Sequence, residues 1–316
     1  MSILGPGVEF DRIREIAAVL GPRAAELGDD CAMVAINGGF LALSTDVSVD
    51  GIHFRRAWLS FEEIGWRAAA GGLSDLAAVG ADPVGLLAAI TVPGECTDRD
   101  VVALMDGVGN AVSAVGGQVL GGDLSQGATL QLAITVVGST SAWLGRSGAQ
   151  PGDGIWVTGA LGGARAALES WQAGREPAAQ ARTAFARPEP RVGVGRWLAA
   201  AGAHAMMDLS DGLAGDATHL ASASMVALTI DLERVPVHPG VPAAGDRAPV
   251  LVAAEGGEDY ELLVALPETF GAAHAGRCLA ETGIPLTRVG QVAAGEGVRL
   301  LHHGEPVALR GYDHFR

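Results

Sequence analysis

The segment LGDDCAM, Leu27–Met33, sets Asp29 and Asp30 side by side in a chain otherwise rich in Ala, Gly, Val and Leu. Further carboxylates follow beside apolar or Gly-rich runs: Asp46 in STD, Asp75 in LSD, Asp123 in GGD, and Asp208 and Asp211 in DLSD. Taken singly, Asp75 or Asp211 reads most simply as a helix N-cap. The whole set calls for more than capping. Carboxylates that converge raise one another's pKa unless a cation holds them ionised. An all-oxygen set without Cys or paired His suits Mg²⁺ or Mn²⁺ rather than Zn²⁺. Mg²⁺ keeps much of its water and shares itself between carboxylates and substrate phosphates. A dispersed Asp set therefore points to several hydrated ions held together with a nucleotide.

Other residues fit the same chemistry, each with a plainer alternative. LGGD, Leu120–Asp123, would let backbone approach a phosphate closely, or is a tight turn between strands. VTGALGG, Val157–Gly163, does not complete the dinucleotide-binding glycine pattern and reads as strand–turn–helix packing. His53 in DGIHF is a substrate contact or an ordinary structural His; Glu258 and Asp259 in GGEDYELL stand before an apolar strand. Arg146 lies in a turn-rich stretch and could reach a phosphate. The chain has no lysine, so Schiff-base and Walker-A chemistry are excluded. Phosphate must be met by Arg, metal ions or helix N-termini.

Stepping outward from these residues, the chain alternates helical and strand patterns. EFDRIREIAAVLG places Phe10, Ile13, Ile16, Ala17 and Leu20 on one helical face. Ser60 and Glu63 predict a capping box at the head of a helix, and another helix starts near Thr97. FLALSTD, VGLLAAITVP, QVLGGD and ATLQLAITVVGS read as strands. The turn formers of LGRSGAQPGDG mark a break, and the rhythm resumes beyond it with GIWVTGALGGARAALES, AMMDLSDGLAGDATHLASAS, VALTIDLERVP, EDYELLVALP, TRVGQV and GVRLLHH, plus a helix near 268–282. The aspartates are expected at strand–loop or loop–helix junctions. Two mixed α+β domains are expected, residues 1–143 and 144–316.

The 316 residues suffice for two such domains, and 49% of them are apolar, so a core can be buried. The net charge of −15 disfavours nucleic acid and anionic membranes as partners. No apolar run reaches the roughly 18 residues that a membrane span needs. The N-terminus has no basic and apolar leader pattern, and Cys31, Cys96 and Cys278 are odd in number with no CxxC. A cytoplasmic protein without disulfides is expected.

Taken in order, LGDDCAM, LSTDVSVDGIHF, LSDLAAVGADP, GGD, RSGAQPGDGIWVTGALG, PEPRV, DLSDGL, GGEDYELL and the closing GYDHF resemble the thiamine-monophosphate kinase family, over nearly the whole chain. The resemblance implies the two-domain fold of the aminoimidazole ribonucleotide synthetase superfamily. In it an N-terminal α/β domain pairs its strands with a second subunit in a homodimer, and a C-terminal α+β domain follows. It implies phosphorylation of thiamine monophosphate by ATP with Mg²⁺, giving thiamine diphosphate. By the same resemblance Asp30, Ser44, Thr45, Asp46, Asp75, Asp123, Asp208 and Asp211 match metal-binding positions. Gly122, Asp123, Arg146 and Ser210 match ATP contacts, and His53, Glu258 and Tyr312 match contacts to thiamine phosphate. This chain departs from the family at Gly72, where Asn is common, at Arg67, where Lys is frequent, and at Leu124, where Thr is usual. Two sister enzymes are the alternatives, alongside a non-catalytic nucleotide- or thiamine-phosphate-binding protein. SILGPGVEF lacks the reactive Cys of selenophosphate synthetases, and the hydrogenase maturation factor ends in a cysteine where this chain ends in GYDHFR.

Overall fold

The computed structural model describes residues 4–24, 27–243 and 247–312. Its first half is a five-stranded sheet with helices on one face. Helix α1 (Val8–Leu20) precedes β1 (Ala32–Ile36) and β2 (Gly39–Val49). Helix α2 (Phe61–Ala78), β3 (Asp82–Val92), α3 (Asp98–Ala114), β4 (Gln118–Gln126) and β5 (Gln131–Thr140) follow. The predicted capping box forms at α2: Ser60 Oγ accepts from the Glu63 N–H, and the Glu63 carboxylate accepts from the Ser60 N–H. Thr97 and Asp100 do the same for α3. Each box contributes about 1 kcal/mol and fixes where the helix starts.

The strand order is β1-β2-β5-β3-β4, with only the β3–β4 pair parallel. In β5, Leu132, Ile134 and Val136 are buried in alternation, which turns them towards α2 and α3. The other face of the sheet is uncovered. Val34, Ile36, Val47 and Leu87 are exposed on it, and every residue of the edge strand β4 is exposed.

The second half holds a seven-stranded sheet, β12-β11-β8-β10-β6-β9-β7. In chain order its elements are β6 (Gly154–Thr158), α4 (Gly163–Gln172), α5 (Ala179–Ala186), α6 (Val192–Ala200), β7 (Ala205–Asp208), α7 (Leu213–Ser224), β8 (Ala227–Asp231), α8 (Pro249–Glu255), β9 (Leu262–Leu266), α9 (Ala272–Thr282), β10 (Leu286–Ala293), β11 (Gly297–His302) and β12 (Glu305–Val307). One core joins the sheet to α7 and α8 through Leu213, Leu220 and Ala253. Another joins it to α6 and α9 through Trp156, Leu198, Phe270 and Cys278. Helices α4 and α5 contribute Ala167, Trp171 and Phe185 to the core of the first half, so the halves share a packed seam. No described helix is long and apolar enough to cross a membrane.

Candidate active site

A cavity of about 800 Å³ opens along this seam. Strand β2 and helix α2 supply Asp46 and Asp75; the end of β7 and the loop into α7 supply Asp208, Ser210 and Asp211. His53, Arg146, Glu258 and Tyr312 also line it. Asp75 is not at a junction as expected: it lies inside α2, while Asp46 lies within β2 and Asp123 within β4. Nor is Asp75 or Asp211 an N-cap, since α2 is capped by Ser60 and Gly212 stands at the cap of α7. A regular helix and a regular strand hold these carboxylates more rigidly than loops would.

Oxygens of Asp30, Asp75 and Asp208 lie within 4.8 Å of one another. Asp30 and Asp208 are almost fully buried. The Arg146 guanidinium donates to Asp30 Oδ1 at 2.5 Å through Nη2 and at 3.2 Å through Nε. Asp30 Oδ2 is buried with no hydrogen-bond partner. The Ser44 hydroxyl donates to Asp75 Oδ2 at 2.6 Å. Burial, with Asp30 beside it, pushes Asp208 up to about 7. Burial and the Asp208 charge likewise drive Asp75 well above the ordinary range. Burial opposes the charge of Arg146, but Asp30 more than restores it, and its pKa is raised. One cation cannot satisfy three inward-facing carboxylates, one of which keeps an orphaned oxygen. This oxygen-only set fits a hard divalent cation.

A second acidic group adjoins the first. Atoms of Asp211, Asp216 and His219 lie within 4.8 Å of one another, and buried Asp216 accepts the Asp211 N–H at 3.2 Å. His219 is buried and stacked on Phe10 at 4.0 Å; burial lowers it to about 4, so the ring is neutral near pH 7.

At the substrate end, His53 Nδ1 accepts the Val49 N–H at 3.1 Å, so in that arrangement any ring proton sits on Nε2. Glu258 is paired with buried Arg67, whose guanidinium also donates to the Phe185 carbonyl at 2.5 Å and stacks 3.8 Å above the Phe185 ring. The Tyr312 N–H donates to the Asp211 carbonyl at 2.9 Å; Asp313, His314 and Phe315 of GYDHF lie outside the described residues.

Three sequence-derived positions stand apart from the cavity. Thr45 points to the uncovered face of the first sheet and bonds Thr135. Gly122 and Asp123 lie on exposed β4. Gly122 also has a packing reason: a Cβ there would sit 1.9 Å from the Ala88 carbonyl oxygen of β3. So LGGD is strand, not a turn. Gly72 faces the sheet, where a Cβ would meet Val136 at 3.2 Å and Ile134 at 3.4 Å. That departure from the family pattern concerns packing behind the site, not its lining.

Two acidic residues that the sequence reading named without giving them a role prove to be tied into the site's surroundings. Asp29 accepts the Arg146 N–H at 3.2 Å, and burial raises it to about 6. Asp259 accepts the Gly162 N–H at 2.7 Å at the head of α4, with burial raising it to about 8. Its neighbours Glu258 and Tyr260 hold φ of 67° and 52°, left-handed values that cost a non-glycine residue about 1 kcal/mol or more. The only signal for these in the sequence was their place in LGDD and GGEDYELL.

Residues 28–140 match the AIR synthase related protein family, N-terminal domain, and residues 150–303 match its C-terminal domain. The thiamine-monophosphate kinase of Escherichia coli K12 is 37% identical, over 97% of this chain and 95% of that protein. That of Halobacterium salinarum is 36% identical, over 95% of this chain and 99% of that protein. The chain belongs to the thiamine-monophosphate kinase family. A solved structure described as AaThiL complexed with AMPPCP and TMP superposes with a TM-score of 0.88 at 31% identity, covering 98% of this chain and 97% of that one. The mixed α+β two-domain fold expected from the motifs is therefore the family's own.

Proposed function

We propose that this chain transfers the γ-phosphate of ATP to thiamine monophosphate, giving ADP and thiamine diphosphate. One observation carries the reading: the convergence of Asp30, Asp75 and Asp208, with a partnerless buried oxygen, at a cavity that also holds Arg146, His53 and Glu258. Family membership supplies the substrate pair.

The acceptor is a phosphate whose second pKa is about 6, so it is mostly dianionic near neutral pH. It needs no general base. The barrier is the approach of anion to anion, where each pair of unit charges at 4 Å repels by roughly 4 kcal/mol at an effective dielectric of 20. Bound Mg²⁺ ions would offset that repulsion and stabilise charge spreading on the transferred group. Asp30, Asp46, Asp75, Asp208 and Asp211 would hold them, with Ser44 keeping Asp75 oriented. Arg146 and Ser210 would contact ATP; His53, Glu258 and Tyr312 would contact the thiamine phosphate. Transfer is direct and in line, with no phospho-enzyme.

A homodimer is part of the proposal. The uncovered apolar face of the first sheet supports it, because soluble monomers rarely leave such a face bare. Thr45 and Asp123 stand on that face, and a second copy would enclose them and β4 as the remaining metal and ATP contacts. We further place the domain division at 143/144 and the protein in the cytoplasm. ADP release on mixing ATP, Mg²⁺ and thiamine monophosphate tests the function, and Asp46→Asn and Asp75→Asn should each abolish it while the fold persists. Near-normal turnover in both variants removes the metal assignment. Sedimentation of wild type against Val47→Asp/Leu87→Asp tests the dimer: equal masses refute this interface.

A further inference from the structure

At the far edge of the second sheet, away from the acidic site, two histidines and a glutamate converge. β11 and β12 are joined by a two-residue reversal, His303-Gly304, flanked by the pair His302↔Glu305. Both central residues have positive φ, 52° and 79°. That turn favours Asn-Gly or Asp-Gly, and a His in the first position is an unusual occupant. Its consequence is geometric. Consecutive residues of a strand point to opposite faces. The left-handed backbone at His303 brings its ring back onto that of His302, with centroids 4.2 Å apart at 37°.

Glu233 comes to the pair from the 3-10 turn Leu232–Arg234. Its Oε1 lies 3.1 Å from His303 Nδ1 and 3.7 Å from His302 Nε2, and accepts the His303 N–H at 2.7 Å. The sheet sets this register: β8 ends at Asp231, which pairs with Leu301 immediately before the two histidines. One ligand atom from each of the three residues falls within 4.8 Å of the others. Backbone pairing therefore brings the three residues to one corner of the sheet before any ligand arrives. His303 is open to solvent and His302 half-buried, so an ion has access.

We propose that Glu233, His302 and His303 form a binding site for a borderline first-row divalent ion, of the class of Zn²⁺, Co²⁺ or Ni²⁺. Two imidazole nitrogens and one carboxylate oxygen match the donors these ions prefer, and three protein ligands leave a position for water. Mg²⁺ is a poor occupant, since it demands oxygen donors. An alternative account of the cluster is a His–Glu ion pair. That account leaves two rings, 4.2 Å apart and tilted by 37°, sharing one carboxylate oxygen, whereas a single ion would be ligated by both rings and the carboxylate together. A bound ion would cross-link the β11–β12 hairpin to the turn after β8.

The test is Zn²⁺ titration of the Mg²⁺-saturated protein, in competition with a chromophoric chelator, for wild type, His302→Gln/His303→Gln and Asp211→Asn. The expected result is one equivalent in wild type and in Asp211→Asn. The histidine variant should bind it more weakly by at least the 10- to 100-fold that loss of even an outer partner costs. Co²⁺ should give ligand-field bands in wild type that disappear in the histidine variant. The substitutions lie in an exposed turn, and an unchanged melting temperature without metal verifies the fold. No Zn²⁺ uptake by wild type, equal uptake by the histidine variant, or loss of the equivalent in Asp211→Asn each overturns the proposal.

Discussion

Replacing Asp208 by Asn should stabilise the metal-free protein at alkaline pH while abolishing its activity. Asp208 is 3% exposed, at the end of β7 beside Asp30 and Asp75. Burial first, and Asp30 next, lift its pKa from 3.8 to about 7. At about 1.4 kcal/mol per tenfold change in protonation, keeping this carboxylate charged in the fold costs up to about 4 kcal/mol. The sign follows from linkage. A carboxyl raised in the folded state contributes its full stability below the unfolded pKa and loses it as pH climbs through the folded pKa. Metal-free wild type should therefore weaken between about pH 4 and 7, and Asp208→Asn should lack that part of the slope. At pH 8 in EDTA the variant should melt higher, with an upper bound of roughly 10 °C. Near pH 4 the two should nearly coincide. Saturating Mg²⁺ should close or reverse the gap, because it binds the wild-type fold and not the unfolded chain. Calorimetry at the two pH values, with EDTA and with Mg²⁺, reads all four corners. If Asp208→Asn melts lower than wild type at pH 8 in EDTA, Asp208 is a structural hydrogen-bonding partner. The account of a cluster kept for a cation then fails.

Other perturbations separate the parts of the site. Arg67→Met leaves Glu258 without its buried partner and should cost about 3–5 kcal/mol, whereas Arg67→Lys, which keeps a cation there, should cost far less; urea unfolding compares them. Asp259→Ala orphans the Gly162 N–H at the head of α4 and frees the strained Glu258–Tyr260 turn. It should cost about 1–3 kcal/mol and raise the KM for the acceptor more than it lowers kcat, with Asp259→Asn restoring most of both. Mg²⁺ affinity should rise from pH 6 to pH 8, with proton release, as Asp208 ionises; calorimetry in buffers of different ionisation enthalpy would show it, and a flat profile would count against the raised carboxyl. Ser60→Ala should lose about 1 kcal/mol with kinetics unchanged, since it removes only the α2 cap.

The helix starts were legible because capping is local: Ser60 with Glu63, and Thr97 with Asp100, bond within one turn of chain. The buried strands were legible because Leu132, Ile134 and Val136 alternate within β5. Helices α5, α6 and α8 are not legible in the sequence, because at seven to nine residues they are too short to show a clear helical period. β1 and β12 were missed because their pairing, not their own pattern, makes them strands. The acidic set itself stood out from its apolar surroundings. What could not be read was how the set divides. Ser44 and Asp46 face the helices while Thr45 and Asp123 face the open side, a matter of strand parity that needs the register. Nor does local sequence tell that Arg67 reaches Glu258, 191 residues away.

Product identity bears most directly on the central claim. Phosphorus NMR of the protein with ATP should show the acceptor resonance of thiamine monophosphate replaced by the two resonances of thiamine diphosphate as ADP accumulates. This should occur only with Mg²⁺, and not when unphosphorylated thiamine is the acceptor. ADP with free phosphate and no diphosphate, or equal transfer to thiamine, would contradict a site built for an anionic acceptor.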